Sequence, residues 1–474
     1  MSRTTITTDS DLRQTLRPRQ VAALALGCVI GFGCFVLPGY FLTTAGPVGA
    51  TLGVLGGGGA MLIIARSYGV MVRALPVAGA EFAYAYRVGG RYHAYACGWF
   101  LALGYVSIVP LNATALGILG KFVAPRLFAR GSLYTVAGFE VFAGEIILAS
   151  AAIIIVGLIQ FRGVSAAGSL QVALTTLLVG AVLIIGLGTT VSGMASTANL
   201  HPYFAPERSP LEGVGGILAI APWLYVGFDT LPQAAEEFDF SPARGLRLMA
   251  LAIGAGALMY AIVILATASV TPWRSLVSTE PLWATGIAVR ESLGRGGFAC
   301  LVLAVAMAVF TGINGFFMAS SRLLFGMGRA KLLPAWFAQV HPSHQTPANA
   351  ILFVALVSLT APWFGREVIA WIVDMAALGT AFGYLYTCLA AVRVAETGET
   401  KTGPTDRGQA RLGTALSVGF ITLLCVPGMP GFMATPSWIA LTVWVGLGLI
   451  FLAGRGTHYR ALRTSELDRL ILQR

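Results

Sequence analysis

Charge is what this sequence has least of. Charged residues fill 11% of the 474 positions, against roughly a quarter in an ordinary soluble domain, so the chain cannot build a water-facing surface. The five histidines, His93, His201, His341, His344 and His458, are scattered. No H-E-x-x-H, G-x-S-x-G or phosphate-loop pattern occurs, which argues against a metal site, an enzyme of those classes or ATP-driven transport by this chain alone. No metal or cofactor is expected. The six cysteines (Cys28, Cys34, Cys97, Cys300, Cys388 and Cys425) all lie in apolar stretches without a C-x-x-C pair, and read as small core residues. Long polar stretches are missing too. The longest are residues 394–410 and 455–474, too short for a separate soluble domain. The first twenty residues are polar with no cleavable signal pattern, so the first apolar span is expected to stay in the mature protein.

What is present is apolar length. The hydrophobic fraction is 56%, gathered in blocks such as Ile146–Ile159, Val172–Gly188 and Ala299–Phe310. With their neighbours these reach the roughly 20 residues that cross a bilayer as a helix. The expected fold class is an all-α membrane protein with twelve transmembrane helices. Their cores lie near 19–43, 47–73, 94–123, 139–160, 167–190, 213–238, 245–271, 297–325, 348–364, 367–393, 411–428 and 435–454. An even number of spans puts both termini on one side. With the N-terminus inside, 23 of the 31 Lys and Arg residues fall on the inner side and 8 on the outer. The positive-inside rule therefore predicts a multi-pass protein of the cell (inner) membrane with both termini cytoplasmic. That asymmetry explains the net charge of +11 through the lipid bilayer, without nucleic acid. The expected domains are a tail 1–18, a transmembrane body 19–454 and a tail 455–474.

Two spans carry breaks. The first reads Gly27-Cys28-Val29-Ile30-Gly31-Phe32-Gly33-Cys34-Phe35, with two glycines at mid-depth. Glycine permits an unwound turn. In hydrocarbon such a turn survives only where its backbone groups line a cavity or meet a ligand. The half-helix beginning near Gly33 offers N–H donors and a positive dipole end, suited to a carboxylate. The sixth span reads Ala221-Pro222-Trp223-Leu224-Tyr225-Val226-Gly227-Phe228-Asp229. Pro222 removes a helical hydrogen bond and Gly227 adds a weak point, freeing carbonyls for an ammonium. Close helix packing is the ordinary alternative for Gly27 and Gly31, which have small-xxx-small spacing. Two breaks at matching places in two halves instead mark a midplane site between inverted repeats.

These residues resemble a known pattern. The first-span run with Pro38-Gly39, then Leu75-Pro76-Val77-Ala78-Gly79-Ala80-Glu81-Phe82-Ala83-Tyr84 with Gly98-Trp99, Val226-Gly227-Phe228-Asp229 with Ala235-Glu236-Glu237, and Ser321-Arg322 with Lys331-Leu332-Leu333-Pro334 resemble, in order, the motifs of amino acid–polyamine–organocation permeases. The resemblance implies a leucine-transporter-like five-plus-five inverted repeat, about 19–190 and 213–393, with two extra helices near 411–454. It also implies that Ile30, Gly31, Phe32, Gly33 and Cys34 hold a substrate carboxylate, and that Trp223, Leu224, Tyr225 and Gly227 line the pocket. Trp223 would serve as an aromatic lid; a packed core aromatic is the commoner fate of such a residue. Two departures stand out. Gly104 falls where relatives that carry cations have an acid. Leu178 falls where proton-coupled relatives have a lysine.

Four acids and two polar residues complete the candidates. Asp229 matches a carboxylate that some exchangers of the superfamily use for protons; a structural acid bracing the sixth span is the alternative. Glu81, between Arg73 and Arg87, is expected to form a gate or surface ion pair. Glu145 and Asp374 sit near span ends, where hydration is expected. Thr311 and Asn314 could line a cation or substrate site, or bond a neighbouring helix. The leading function is a secondary transporter of a small amine-bearing solute, first of all a neutral amino acid, coupled to a proton or working by exchange, with sodium the other candidate ion. The alternatives are an amine or polyamine permease and, from another class, a channel.

Overall fold

The computed structural model describes Leu12 and residues 14–136, 139–279, 283–365, 368–398, 404–429 and 431–472. Most of the expected tail 1–18, Lys401 in the 394–410 loop and Arg366 lie outside the described residues.

The first helix, α1 (Pro18–Ile30), opens on a proline, whose missing N–H costs nothing at a first turn. It stops at Gly31, where φ is +51°, a left-handed conformation that glycine adopts without strain. A short α2 (Gly33–Val36) runs through Leu37 into α3 (Pro38–Ala74). Within α3 the helix breaks at Gly46-Pro47, so the end of the first expected span and the whole second span are joined there. A Cβ on Gly46 would lie 2.7 Å from the Phe204 backbone, so a side chain is excluded at this turn.

A short α4 (Glu81–Gly89) precedes the long α5 (Arg91–Val123) and the small α6 (Pro125–Phe128). An antiparallel hairpin follows, β1 (Ser132–Val136) and β2 (Phe139–Phe142). The expected fourth span therefore starts as a strand and becomes helical only at α7 (Ala143–Arg162). Glu145 explains the switch, because its carboxylate accepts from Phe142 N at 2.8 Å and pairs with Lys121 at 2.6 Å. It is a buried helix cap, not a hydrated end group.

Then come α8 (Val164–Val191), α9 (Pro210–Ala219), α10 (Ala221–Leu224), α11 (Thr230–Gln233), α12 (Gly245–Val270), α13 (Trp273–Thr279), α14 (Ala284–Arg329), α15 (Ala348–Ser358), α16 (Val368–Thr397), α17 (Pro404–Cys425) and α18 (Thr435–Ala461). Among the described residues nine helices are long and apolar enough to cross a membrane. The sixth, ninth and eleventh of the twelve expected spans are not among them: one is fragmented into α9–α11, one is short, and α17 opens on a polar turn. Large apolar side chains such as Ile147, Leu187, Leu251 and Ile450 stand exposed on the outer helix faces, which water would penalise and lipid does not.

The interior is organised around α5, which packs on α14 and α16, while α1 lies against α8, α12 and α14. Residues 462–472 fold back onto the body, with Lys331 paired to Glu466 at 2.7 Å and Tyr86 donating to Asp468 at 2.9 Å.

Candidate functional site

The two breaks touch. At Gly227 φ is +131°, and a Cβ there would lie 2.4 Å from the Cβ of Cys28. Only glycine lets the sixth span approach the first this closely. Beside that contact Trp223 faces Gly33, and the Phe32 and Trp223 rings meet edge-on with centroids 6.4 Å apart. A cavity of about 30 Å³ lies between the breaks, lined among others by Gly31, Phe32, Gly33, Trp223, Leu224 and Asn112. That is room for a water or two, so a solute the size of an amino acid fits only when the helices part. No charged side chain among the described residues lines it.

Five of the nine proposed substrate residues thus meet at one place. The other four do not line the cavity. The carbonyl of Ile30 accepts from Tyr260 Oη at 2.9 Å. Cys34 is buried in core packing, and Gly227 serves the contact with Cys28. Tyr225 turns the other way: its ring runs towards α3 and its hydroxyl donates to the Val54 carbonyl at 2.7 Å. Gly104 is also displaced from its expected role. It packs against the α16 backbone, where a Cβ would meet Ala376 O at 3.4 Å, so it says nothing directly about the cavity.

The backbone around the second break is partly open. Asp229 Oδ1 accepts from Gly227 N at 2.7 Å, and Thr230 Oγ1 donates to Gly227 O at 2.6 Å. Among the described residues no donor closes onto the carbonyls of Leu224 or Tyr225.

Of the two roles expected for Glu81, the surface ion pair is ruled out, because the residue is fully buried. Tyr68 Oη donates to its Oε1 at 2.9 Å and Gln233 Nε2 donates to its Oε2. Tyr105 Oη lies 3.2 Å from Glu81 Oε1 and 2.9 Å from Asp229 Oδ2. One hydroxyl thus stands between two fully buried carboxylates, and among the described residues no basic side chain bonds to either. Burial, with the Asp229 charge beside it, pushes the Glu81 carboxyl, in the short helix between the spanning ones, up to about 8.

The coupling candidates on α14 are bonded to other helices. Asn314 Nδ2 donates to Ala167 O at 3.0 Å and Gln171 Oε1 at 2.8 Å, while its Oδ1 accepts from Gln160 at 2.9 Å. It ties α14 to α7 and α8, the second of its two expected roles. Thr311 Oγ1 reaches Gly27 O at 3.0 Å, and Thr175 Oγ1 donates to Ala23 O at 2.9 Å. The Ala23 and Gly27 carbonyls of α1 therefore already accept from threonine hydroxyls of α8 and α14. Asp374 accepts from Ser437 Oγ at 2.6 Å. No group of three or more potential metal ligands occurs among the described residues.

Tyr105, Asn112, Tyr68, Gln233 and Tyr260 were missed by motif reading. One signal could have found two of them. Tyr105 and Asn112 are seven residues apart in an apolar helix, hence on one face.

The model of the amino acid permease family matches residues 16–451. Curated relatives agree. The methylthioribose transporter of Bacillus subtilis is 25% identical over 93% of this chain and 92% of its own length. The branched-chain amino acid permease BcaP of Lactococcus lactis is 27% identical over 80% and 82%, and the aromatic amino acid transport protein AroP of Escherichia coli 26% identical over 73% of each. With its motifs in the family's order and a match spanning nearly its whole length, the chain belongs to the amino acid permeases of the amino acid–polyamine–organocation superfamily.

Proposed function

We propose that this protein is a secondary transporter of a neutral amino acid, working by alternating access around the cavity between the two breaks. The observation that carries the reading is the meeting of two interrupted spans around a cavity with no charged lining. Backbone N–H groups near Gly31 and Gly33 receive the carboxylate, and the Leu224 and Tyr225 carbonyls receive the ammonium. A charged side chain would find no counter-charge there. The contracted cavity fits an occluded stage of the cycle, opened by parting Trp223 from Gly33.

In this reading the helices form two inverted five-helix repeats plus two, with both termini cytoplasmic, as the Lys and Arg asymmetry supports. The Glu81–Tyr105–Asp229 cluster supports proton coupling. Two acceptor-only carboxylates without a cation in a low dielectric are costly unless one holds a proton.

A thermal-shift screen of the purified protein tests the substrate class. Neutral L-amino acids are expected to stabilise it, and their decarboxylated amines are not. Equal stabilisation by the amines would instead favour an amine or polyamine permease. Counterflow in liposomes with the best ligand then separates saturable exchange from a channel.

A further inference from the structure

Among the described residues that line the cavity, one side chain has a buried polar atom without a hydrogen-bond partner. Asn112, in the middle of α5, is 4% exposed and lines the cavity. Its Nδ2 donates to the Ile108 carbonyl one turn back at 2.9 Å. Its Oδ1 is buried and has no hydrogen-bond partner among the described residues. The orientation of the amide is fixed by chemistry: a flipped amide would set its oxygen against the Ile108 carbonyl, oxygen to oxygen. The acceptor must therefore face away from that carbonyl.

The room for this amide is built in from the opposite wall. A Cβ on Gly312 of α14 would lie 2.6 Å from Asn112 Oδ1 and 2.8 Å from Nδ2. Glycine at 312 is what admits an amide at 112. Around them the wall is apolar, from Ile108, Leu111 and Phe316. The breaks supply backbone to the cavity, and α5 and α14 supply side chains. In the transport reading above, an amino acid held by its carboxylate and ammonium on the two breaks has the α5–α14 wall left for its side chain.

We propose that Asn112 Oδ1 is a specificity determinant that accepts a hydrogen bond from the side chain of the substrate, selecting small uncharged side chains that carry a donor, such as a hydroxyl, over aliphatic side chains of the same shape. This rests on the transport reading above. An aliphatic substrate seals the acceptor away from water without a partner, and a hydroxyl satisfies it. Sites built to bond a substrate hydroxyl discriminate against the analogue lacking it more strongly than apolar pockets discriminate by size. The amide is neutral, so it adds no attraction for a cationic side chain beyond that of any acceptor.

The test uses matched pairs on the full-length protein: L-threonine against L-valine, L-serine against L-alanine, and L-serine against O-methyl-L-serine, which keeps the oxygen and loses the donor. Binding is measured by thermal shift and by competition in counterflow. The hydroxyl member of each pair is expected to bind about tenfold more tightly, and O-methylation is expected to remove the advantage. The variant N112L keeps the side-chain shape without the acceptor and is expected to bring the threonine-to-valine ratio to about one. Valine binding as tightly as threonine to the unaltered protein overturns the proposal, and so does an unchanged ratio in N112L. Should N112L fail to fold, the three pairs on the unaltered protein decide alone. Neutral amino acids that bind without preference for a donor defeat only this inference. An absence of all neutral amino acid binding defeats the transport reading beneath it.

Discussion

At Glu237 a buried carboxylate faces a fully buried guanidinium. Arg322 Nε and Nη2 donate to its two oxygens at 2.7 and 3.2 Å, and Arg322 Nη1 takes Ser321 Oγ at 2.9 Å. Next to it Glu236 pairs with Arg329 at 2.5 Å and accepts from Ala78 N at 2.7 Å. A few residues back along the same broken span Asp229, with Glu81 of α4 beside it, is as deeply buried, but among the described residues the two carboxylates have only hydroxyl, amide and backbone donors around them. The first arrangement balances charge with charge, so it fixes the end of the sixth span to α14. The second can be balanced only by a proton, which can come and go. Burial alone does not separate a structural acid from a functional one; the presence of a cation does.

The comparison can be broken at either end. The largest effect is expected from Glu237→Gln, which leaves Arg322 buried without its counter-charge. A cost of about 3–5 kcal/mol is expected, read as loss of folded protein in detergent. A change of less than about 1 kcal/mol would show that water reaches the pair. Asp229→Asn should leave the fold largely intact, because an amide is a neutral near-isostere. It is expected to abolish the pH dependence of uptake in liposomes, and persistence of that dependence would remove Asp229 from the coupling step.

The last variant, Glu81→Gln, is read through pH. The folded protein holds the Glu81 proton more tightly than the unfolded chain does. Stability is therefore full at low pH and is lost as pH rises from the ordinary value of 4.5 through about 8. The variant should flatten that decline in melting temperature between about pH 4.5 and 8. An unchanged slope would place the proton elsewhere in the cluster.

Both breaks were legible in the sequence because they are local. Gly31 and Gly227 need left-handed or otherwise strained backbone that only glycine adopts freely, and Pro222 cannot continue a helix. The identity of the lining was half legible. Gly31, Phe32, Gly33, Trp223 and Leu224 reach the cavity, but Tyr225 does not, because the side of the chain that it occupies depends on how far the second break unwinds. From its sequence neighbours Arg73 and Arg87, Glu81 reads as a gate or a surface ion pair, and the second of these fails. Its partners in space are Tyr68, Tyr105 and Gln233, up to 152 residues away. The expected count of twelve spans came from apolar length, which cannot distinguish one spanning helix from the three fragments α9, α10 and α11.

The sequence by itself determined the solvent of this protein, its helical class, its family and the two places where helices must break, since each follows from composition or from the conformational limits of single residues. Only the tertiary structure decided what meets at those breaks. Helix rotation and the close approach of Gly227 to Cys28 brought Asn112 beside the cavity, closed Tyr105 between two carboxylates and gave Asn314 to its neighbouring helices. These are long-range contacts, set by which face of each helix is turned inwards.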